Sequence, residues 1–481
     1  MSPSPANEAN GRTGLDSSGH KETHLKRAIG PGLLLLFIVG DMLGTGIYAL
    51  TGQVAKEVGG AAWLPFIVAF IVAYVTARSY LELVTKYPQA AGAALYVHKA
   101  FGIHFLTFLV CFTVMASGIT SASAAARSFA ANFVKGFHLD VGPSGVMAVA
   151  LGFMIVLMII NLRGVSESVK VNVVLTLIEL SGLLMVIGAS IYFISGGEAD
   201  FSRAVAFETP EDKNTFLALS TATSLAFFAM VGFEDSVNMA EETKNPSKIF
   251  PRIMLTGLGI GVVTYTVVSI CAVAVVPVAE LAATETPLTT VVKTAVPGFP
   301  IDQVFPFIAM VAVANGALLN MLMASRLLYG MSKQNVLPPL LGRVLPKRQT
   351  PWAGILVTTG IALVLITVLS LDDRGSTISL LGGTTSLLLT GVFTIVNIAV
   401  LVLRRDRIDR QHYSAGRITP VIGVVACTYL TLPWSSGRPI AQYEIAGFLL
   451  LLGVVLWAIT YVVNRVVRDQ RTEVRDPSKL G

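Results

Sequence analysis

The stretch GDMLGTGIY, residues 40–48, lies in the middle of a long apolar segment near the start of the chain. It contains Gly40, Gly44 and Gly46, and each glycine costs about 1 kcal/mol relative to alanine inside a helix. A helix through this stretch is therefore expected to unwind locally, which exposes backbone N–H groups beside the positive dipole end of the half-helix that follows. Such a gap is suited to binding a carboxylate. Gly40 and Gly44 also have the spacing of a packing face between membrane helices, and residues 40–48 alone leave both interpretations open.

A second break is predicted within FFAMVGFED, residues 227–235, where a glycine again lies in mid-segment and two carboxylates follow it. These two segments are the first and the sixth of the apolar segments along the chain. Breaks at corresponding positions of two halves of a membrane protein are the best sequence pointer to the binding site of a transporter. The pair therefore favours unwinding over simple packing at residues 40–48.

The composition predicts that lipid is the solvent of this protein. Of its 481 residues 53% are hydrophobic and only 13% are charged, with a mean hydropathy of +0.70. A soluble domain carries about 25% charged residues, so this chain has too few charges to cover a globular surface. Helices satisfy their own backbone polar groups in lipid, and we expect an all-α integral membrane protein.

Apolar segments of about 20 residues are long enough to cross a bilayer. Twelve such spans are predicted, at 29–52, 61–84, 101–133, 143–162, 168–195, 214–240, 252–277, 302–330, 351–370, 376–403, 417–433 and 444–464. They divide the chain into an N-terminal tail (1–27), a core of ten helices (28–403), two further helices (404–465) and a C-terminal tail (466–481). Arg78 and Glu82, four residues apart near the end of the second span, are expected to form an ion pair or to extend toward the membrane surface, rather than to belong to a site.

Lysine and arginine set the orientation, because loops on the cytoplasmic side carry an excess of both. With the N-terminus inside, 25 of these residues fall on the inner side, seven fall on the outer side and three fall within spans. Both termini are therefore predicted to be cytoplasmic, in a multi-pass protein of the cell membrane.

Several other classes of protein are disfavoured. The net charge of +6 comes from basic residues between apolar segments, so membrane orientation explains it better than a nucleic-acid partner. Three cysteines in apolar segments make neither a disulfide framework nor a metal-binding spacing. No nucleophile–base pair or phosphate-binding loop is recognisable, so we expect neither an enzyme nor a cofactor or metal.

Five stretches resemble the amino acid–polyamine–organocation permeases, which share the fold of the leucine transporter. They are GTGIY at 44–48, YPQAAGAALY at 87–96, FFAMVGFE at 227–234, EETKNP at 241–246 and ASRLLYGM at 324–331. The resemblance implies twelve transmembrane helices, arranged as a 5+5 inverted repeat with two C-terminal helices, and broken first and sixth helices. It also implies alternating access to a substrate at the two breaks.

The resemblance further implies which groups bind an amino acid. Its α-carboxylate would lie on the N–H groups of Gly44, Thr45 and Gly46. Its amine would be held by the free carbonyls of Met42, Phe228 and Val231, with Phe228 as an aromatic cover. Ala229 and Gly232 complete the expected substrate-binding set. Its side chain would meet Ser117, Thr120, Asn315 and Thr385.

Four intramembrane acids are candidates for coupling or gating. An ionised carboxylate at mid-bilayer is costly, so such residues need a partner, a proton or water. Glu179 lies in the fifth span, where the resemblance implies lysine in many relatives, so the lysine mechanism does not transfer directly. Glu179 either carries the coupled proton or has a structural role as a neutral hydrogen-bonding group.

The other three acids lie at the breaks. Asp41 precedes the first break by one turn, where it would bond Glu179, cap exposed backbone or attract a cation. Glu234 matches an acid of the family and would cap or gate the sixth helix. Asp235 would either contact a cationic substrate or face water in a vestibule.

The function expected from these features is secondary transport of an amino acid, coupled to protons or by exchange. A polyamine or organic-cation carrier and an exporter are alternatives on the same fold, because fold does not determine substrate or direction. A non-transporting receptor is disfavoured, since a scaffold has no use for unwound backbone at the midplane. The expected partners are a small-molecule substrate and membrane lipid. The sequence does not define the oligomeric state.

The predicted orientation can be measured with single cysteines in a chain whose Cys111, Cys271 and Cys427 are replaced by alanine. We expect Arg203→Cys to react with a membrane-impermeant maleimide in intact cells, because its loop belongs to the outer set. Arg407→Cys should react only after permeabilisation. Equal labelling of both variants in intact cells would contradict the predicted orientation.

Overall fold

A computed structural model describes residues 29–88, 92–163, 169–240, 243–298, 301–333, 337–345, 350–371, 376–406 and 411–474. The side chains at 169–172, 301–302, 333 and 464–474 are not described. The predicted N-terminal tail lies outside these ranges, as do residues 89–91 and 241–242 of two quoted motifs and residues 475–481.

The regular structure of the described residues is helical, apart from two isolated β-bridges. The first half of the chain forms α1 (Pro31–Leu43), α2 (Thr45–Val58), α3 (Trp63–Lys86), α4 (Gly92–Phe101), α5 (His104–Gly136), α6 (Pro143–Arg163), α7 (Val169–Ser195), α8 (Ser202–Val205) and α9 (Thr215–Ala226). The second half forms α10 (Pro246–Val275), α11 (Val278–Ala283), α12 (Pro287–Ala295), α13 (Ile301–Lys333), α14 (Trp352–Ser370), α15 (Thr377–Leu403), α16 (Thr419–Thr431), α17 (Pro433–Ser436) and α18 (Ile440–Val474). Short 3-10 helices form at Phe227–Met230, Asp235–Met239 and Pro339–Gly342.

Eleven of the twelve predicted spans are confirmed as helices long and apolar enough to cross a membrane. The prediction at 417–433 gives only α16, whose 13 residues fall short of that length. The helix stops because helical backbone is disfavoured for the residue that precedes a proline. Leu432, which precedes Pro433, is accordingly extended. The last helix runs on to Val474, beyond the predicted limit of 464.

Both predicted breaks are present. α1 and α2 meet at Gly44, whose φ of −62° and ψ of −124° interrupt the helix. After α9 the backbone forms a 3-10 turn at Phe227–Met230 and is extended at Val231. It then turns at Gly232, where φ is +123°. Positive φ is strained for residues with a side chain, which explains glycine at this position.

The broken helices are the most enclosed elements of the bundle. In the most apolar 18-residue stretch of each span, 72% of the residues are buried in the first segment and 78% in the sixth. In α6 and in α18 only 28% of that stretch is buried. α5 packs along α13 and α15, and a Cβ at Gly118 of α5 would lie 3.3 Å from the Asn320 carbonyl oxygen of α13, so this glycine lets the two helices approach closely. The breaks therefore lie inside a ring of intact helices.

The ion pair expected between Arg78 and Glu82 is not the one that forms. Both carboxylate oxygens of Glu82 accept from Arg404 at 2.8 Å, and one also accepts from the Ala415 N–H. Arg78 donates instead to the Tyr413 hydroxyl. Helical spacing favours a pair within α3, but the buried carboxylate of Glu82 is better satisfied by a bidentate guanidinium from the end of α15.

Candidate functional site

The two breaks lie directly against each other. A side chain at Gly46 would place its Cβ 2.5 Å from the Cα of Ala229, in the 3-10 turn of the sixth segment. A Cβ at Gly232 would lie 3.0 Å from the backbone carbon of Asp41, at the end of α1. Both distances are too short for a real Cβ to be accommodated without movement. The glycines therefore permit a contact between unwound backbones that a larger residue would separate.

One buried hydroxyl joins the two breaks. The Oη of Tyr265, on α10, lies 2.6 Å from the Met42 carbonyl oxygen and 3.0 Å from that of Ala229, and it donates to them. A helix break frees carbonyls that water cannot reach in lipid, so this hydroxyl satisfies one carbonyl from each broken helix. A carbonyl oxygen has two lone pairs, so Met42 and Ala229 keep acceptor capacity for a ligand.

The start of α2 has the features of an anion site. No side chain caps its first turn, which begins at Thr45 after Gly44, and no acidic residue lies in that turn. The first N–H groups of a helix have no intrahelical partner and carry the positive end of the dipole. Thr45 and Gly46 are buried, so these donors lie in a low-dielectric setting. These are the residues predicted to bind a carboxylate.

The sixth break is stabilised by its own acid. The carboxylate of Glu234 accepts from the N–H of Gly232 at 2.9 Å, so it caps the turn two residues before it. Phe228 is buried, as is most of this segment. Val231 is only half-buried, and its extended backbone follows the 3-10 turn.

Glu179 is fully buried on α7, where it contacts α2 and α13. Its Oε1 accepts from Nδ2 of Asn315 at 3.4 Å, and its backbone carbonyl accepts from the Tyr48 hydroxyl at 2.8 Å. Its Oε2 has no hydrogen-bond partner among the described residues. An ionised carboxylate with one weak bond would be poorly solvated here, because a buried charge is costly unless it is paired.

Asp41 completes a group of four buried or half-buried acids around the breaks. It packs against Gly232, and its Oδ2 has no hydrogen-bond partner among the described residues. Within the part of the chain that the structure describes, no lysine, arginine or histidine forms an ion pair with Asp41, Glu179, Glu234 or Asp235. Among the described residues, the site therefore holds several carboxyl groups and no cation that pairs with them.

A cavity of about 20 Å³ lies where the sixth break meets α5, α13 and α15. It is lined by Ser117, Val231, Glu234, Asp235 and Thr385, among others. This volume is about that of one water molecule, so an amino acid would not fit without movement of the surrounding helices. This cavity alone therefore does not accommodate a substrate of that size.

The predicted side-chain contacts are only partly brought together. Ser117 and Thr385 line this cavity. Thr120 lies behind them, with its hydroxyl 2.7 Å from that of Thr385. Asn315 instead contacts Glu179. Sequence reasoning missed Tyr265 altogether, because a tyrosine in an unbroken apolar helix carries no local signal of what its hydroxyl contacts.

The sequence of this chain is similar to those of known membrane transporters. The sequence model of the amino acid permease family matches residues 33–460. The branched-chain amino acid permease of Bacillus subtilis is 25% identical over 467 residues, which cover 92% of this chain and 94% of that protein. The methylthioribose transporter of the same organism is 27% identical, covering 85% of this chain and 88% of its own length. Cationic amino acid transporter 4 of Mus musculus is also 27% identical, covering 80% and 60%.

The bridge between the breaks can be tested by removing one hydroxyl. We expect Tyr265→Phe to lower the free energy of unfolding by about 1–3 kcal/mol, because two buried carbonyls lose their donor. Thermal unfolding in detergent measures the change. The exposed Tyr192, changed to Phe, is the matched control and should leave the transition temperature unchanged. Equal transitions for Tyr265→Phe and the control would contradict the bridging role.

Proposed function

This chain belongs to the amino acid permease family, and on that premise we propose that it moves an amino acid by alternating access, with the substrate held where the first and sixth helices are broken. The family consists of transporters rather than enzymes, and this member is a multi-pass membrane protein with a small-molecule substrate. The observation that carries the proposal is the direct contact of the two breaks, joined by the Tyr265 hydroxyl.

The substrate's two charged groups have complementary partners at these breaks. The α-carboxylate lies on the uncapped N–H groups of Gly44, Thr45 and Gly46, where dipole and burial both favour a negative charge. The amine lies among the unwound backbone carbonyls and the nearby acids. The carbonyl-bearing residues proposed for it are Met42, Phe228, Ala229, Val231 and Gly232. An amino acid thus supplies a carboxylate for the uncapped start of α2 and an amine for carboxyl groups that pair with no described basic side chain.

The small size of the cavity at the sixth break supports alternating access. A cavity of about 20 Å³ beside the sixth break has no room for an amino acid, so loading requires helices to move. In the proposed architecture, residues 28–403 form two inverted repeats of five helices, and residues 404–465 add the last two. The N-terminal (1–27) and C-terminal (466–481) tails face the cytoplasm. Placement of the breaks in the first and sixth segments agrees with this repeat.

A cationic solute is the second candidate, and one observation favours it. Glu234 and Asp235 both line the small cavity, and no described cation pairs with them. A polyamine or another organic cation would satisfy these carboxylates without needing the carboxylate site at α2. Export rather than uptake is compatible with either substrate, because direction depends on the coupled gradients.

Uptake into proteoliposomes separates the two candidates. We expect a labelled amino acid to accumulate, and to be displaced by amino acids but not by amines that lack a carboxylate. Gly46→Val should reduce uptake more than about tenfold, because its side chain would force the breaks apart at Ala229.

The control for this experiment is Gly188→Ala, at an exposed glycine with open space around it. It should transport normally. Accumulation of amines in place of amino acids would establish the second candidate. Absence of any amino acid or amine transport would contradict both.

We place the coupling proton on Glu179. This carboxyl is fully buried, has one weak donor in Asn315, and has one oxygen without a partner among the described residues. Its carbonyl also holds Tyr48 of α2, so a change at Glu179 reaches the helix that begins at the break. A group that is stable when protonated and has an open acceptor is able to take up and release a proton as its surroundings change.

Replacing Glu179 with Gln tests this assignment. The variant should lose accumulation driven by a pH gradient yet retain exchange of substrate across the membrane, because exchange moves no net proton. Both activities are measured in the same proteoliposomes. Glu198→Gln, at the exposed end of α7, is the control and should retain both. Full pH-driven accumulation by the Glu179 variant would leave the residue with a structural role only.

A further inference from the structure

A buried arginine lies apart from the helix breaks, between α17 and α18. Arg438 is 6% exposed, and its guanidinium donates to four acceptors. They are the Leu430 carbonyl (2.9 Å), the Gly383 carbonyl (2.7 Å), Oε1 of Gln442 (3.2 Å) and Oγ of Ser386 (2.9 Å). All four acceptors are neutral.

The charge of Arg438 has no counter-charge in the described part of the chain. No described carboxylate forms an ion pair with it. Burial lowers the pKa of Arg438 to about 10, so the guanidinium is still charged at neutral pH although it has lost most of its hydration. A buried charge without a partner is strongly unfavourable, and structures normally compensate it.

A cavity of about 180 Å³ adjoins this guanidinium. It lies at the end of the bundle where α2 ends and α15 begins, and Lys56 contributes a second positive charge to its lining. Glu57 is the acidic residue of the lining, but its carboxylate already pairs with Lys213 at 2.7 Å. The cavity is therefore positive and has no free carboxylate among its described lining residues.

Two further features of this cavity are suited to a negative ligand. The 27-residue helix α15 starts at its edge, where Ser376 makes no side-chain cap and the first turn has no acidic residue. Its orphan N–H groups and dipole therefore favour an anion there. Ser224, which is 1% exposed, and Ser379 also line the cavity, and their hydroxyls have no partner among the described residues.

We propose that this cavity binds a compact monovalent anion, of which chloride is the representative, between Arg438, the Ser224 and Ser379 hydroxyls and the start of α15. The number of donors determines the class of ligand. A guanidinium has five N–H groups, and four of those in Arg438 are in use, which leaves one on Nη2. A bidentate carboxylate needs two, whereas a halide is satisfied by one N–H together with hydroxyl and backbone donors.

The bound anion would add to the polar links at this end of the bundle. The lining comes from α2, α9, α15 and the start of α18, so an ion in the cavity lies between both broken segments and the C-terminal helices. Its removal would leave like charges, Lys56 and Arg438, facing the same cavity. The anion is therefore a stabilising ligand of this end of the bundle, and its binding does not depend on transport.

Binding is measured on the full-length protein in detergent, as thermal unfolding over a series of chloride concentrations with gluconate keeping the ionic strength constant. Wild type should show a saturable rise in transition temperature with chloride. Arg438→Gln should abolish the rise. Ser379→Ala should weaken the apparent affinity about tenfold, as expected for the loss of one hydrogen bond to a charged ligand.

The matched control is Arg203→Gln, at an arginine outside the cavity that pairs with Asp200. It should keep the full chloride response. If Arg438→Gln does not fold, Ser224→Ala and Ser379→Ala decide the matter, since an unchanged chloride response in both would overturn the site.

An identical transition of wild type in chloride and in gluconate would also overturn the proposal. That is the outcome expected if a carboxylate outside the described residues, such as Asp372 or Asp373, already neutralises Arg438. A response to acetate but not to chloride would overturn the assignment to a halide-sized ion.

Discussion

A peptide group released from its helix inside a bilayer has no water to bond, so its donors and acceptors must find partners in the protein. The architecture around the first and sixth segments follows from that constraint. Glycines at 46 and 232 let the two unwound backbones touch, and Tyr265 donates to a carbonyl from each. Glu234 accepts the N–H of Gly232. The breaks are thus stable because they are built against each other inside a ring of intact helices, and a substrate has only to match the groups that are left.

The same constraint explains why acids are tolerated at this depth. Two carboxyl groups of the site show this: Glu234 caps backbone, and Glu179 accepts from the amide of Asn315. Neither arrangement includes a cation from the described residues. The described part of the site combines carboxyl groups and open backbone without a paired basic side chain, and this combination is what supports the proposal of a substrate that carries an amine.

Local chemistry could be predicted from the sequence, whereas pairing across long separations could not. Both breaks were visible because glycines and polar residues interrupt apolar runs, and eleven spans were visible from length and hydropathy. Tyr265 was not, because nothing near it in sequence distinguishes it from a packed aromatic residue. The partner of Glu179 lies 136 residues away, and Glu82 binds Arg404 rather than the nearby Arg78. The short α16 reflects Pro433, whose effect on the preceding residue outweighed the apolar pattern.

The Tyr265 hydroxyl has one proton and two carbonyl acceptors, 2.6 Å and 3.0 Å away, that belong to different broken helices. Any displacement of one helix relative to the other makes that sharing unequal, and the proton then belongs to the nearer carbonyl. The released carbonyl must then accept a hydrogen bond from water or from the solute. The carbonyl that still accepts from Tyr265 therefore shows which helix has moved. Carbonyl stretching frequencies depend on hydrogen bonding. With isotopic labels at the Met42 and Ala229 carbonyls, their stretching frequencies would therefore show which of the two accepts from Tyr265 at each stage of the conformational cycle.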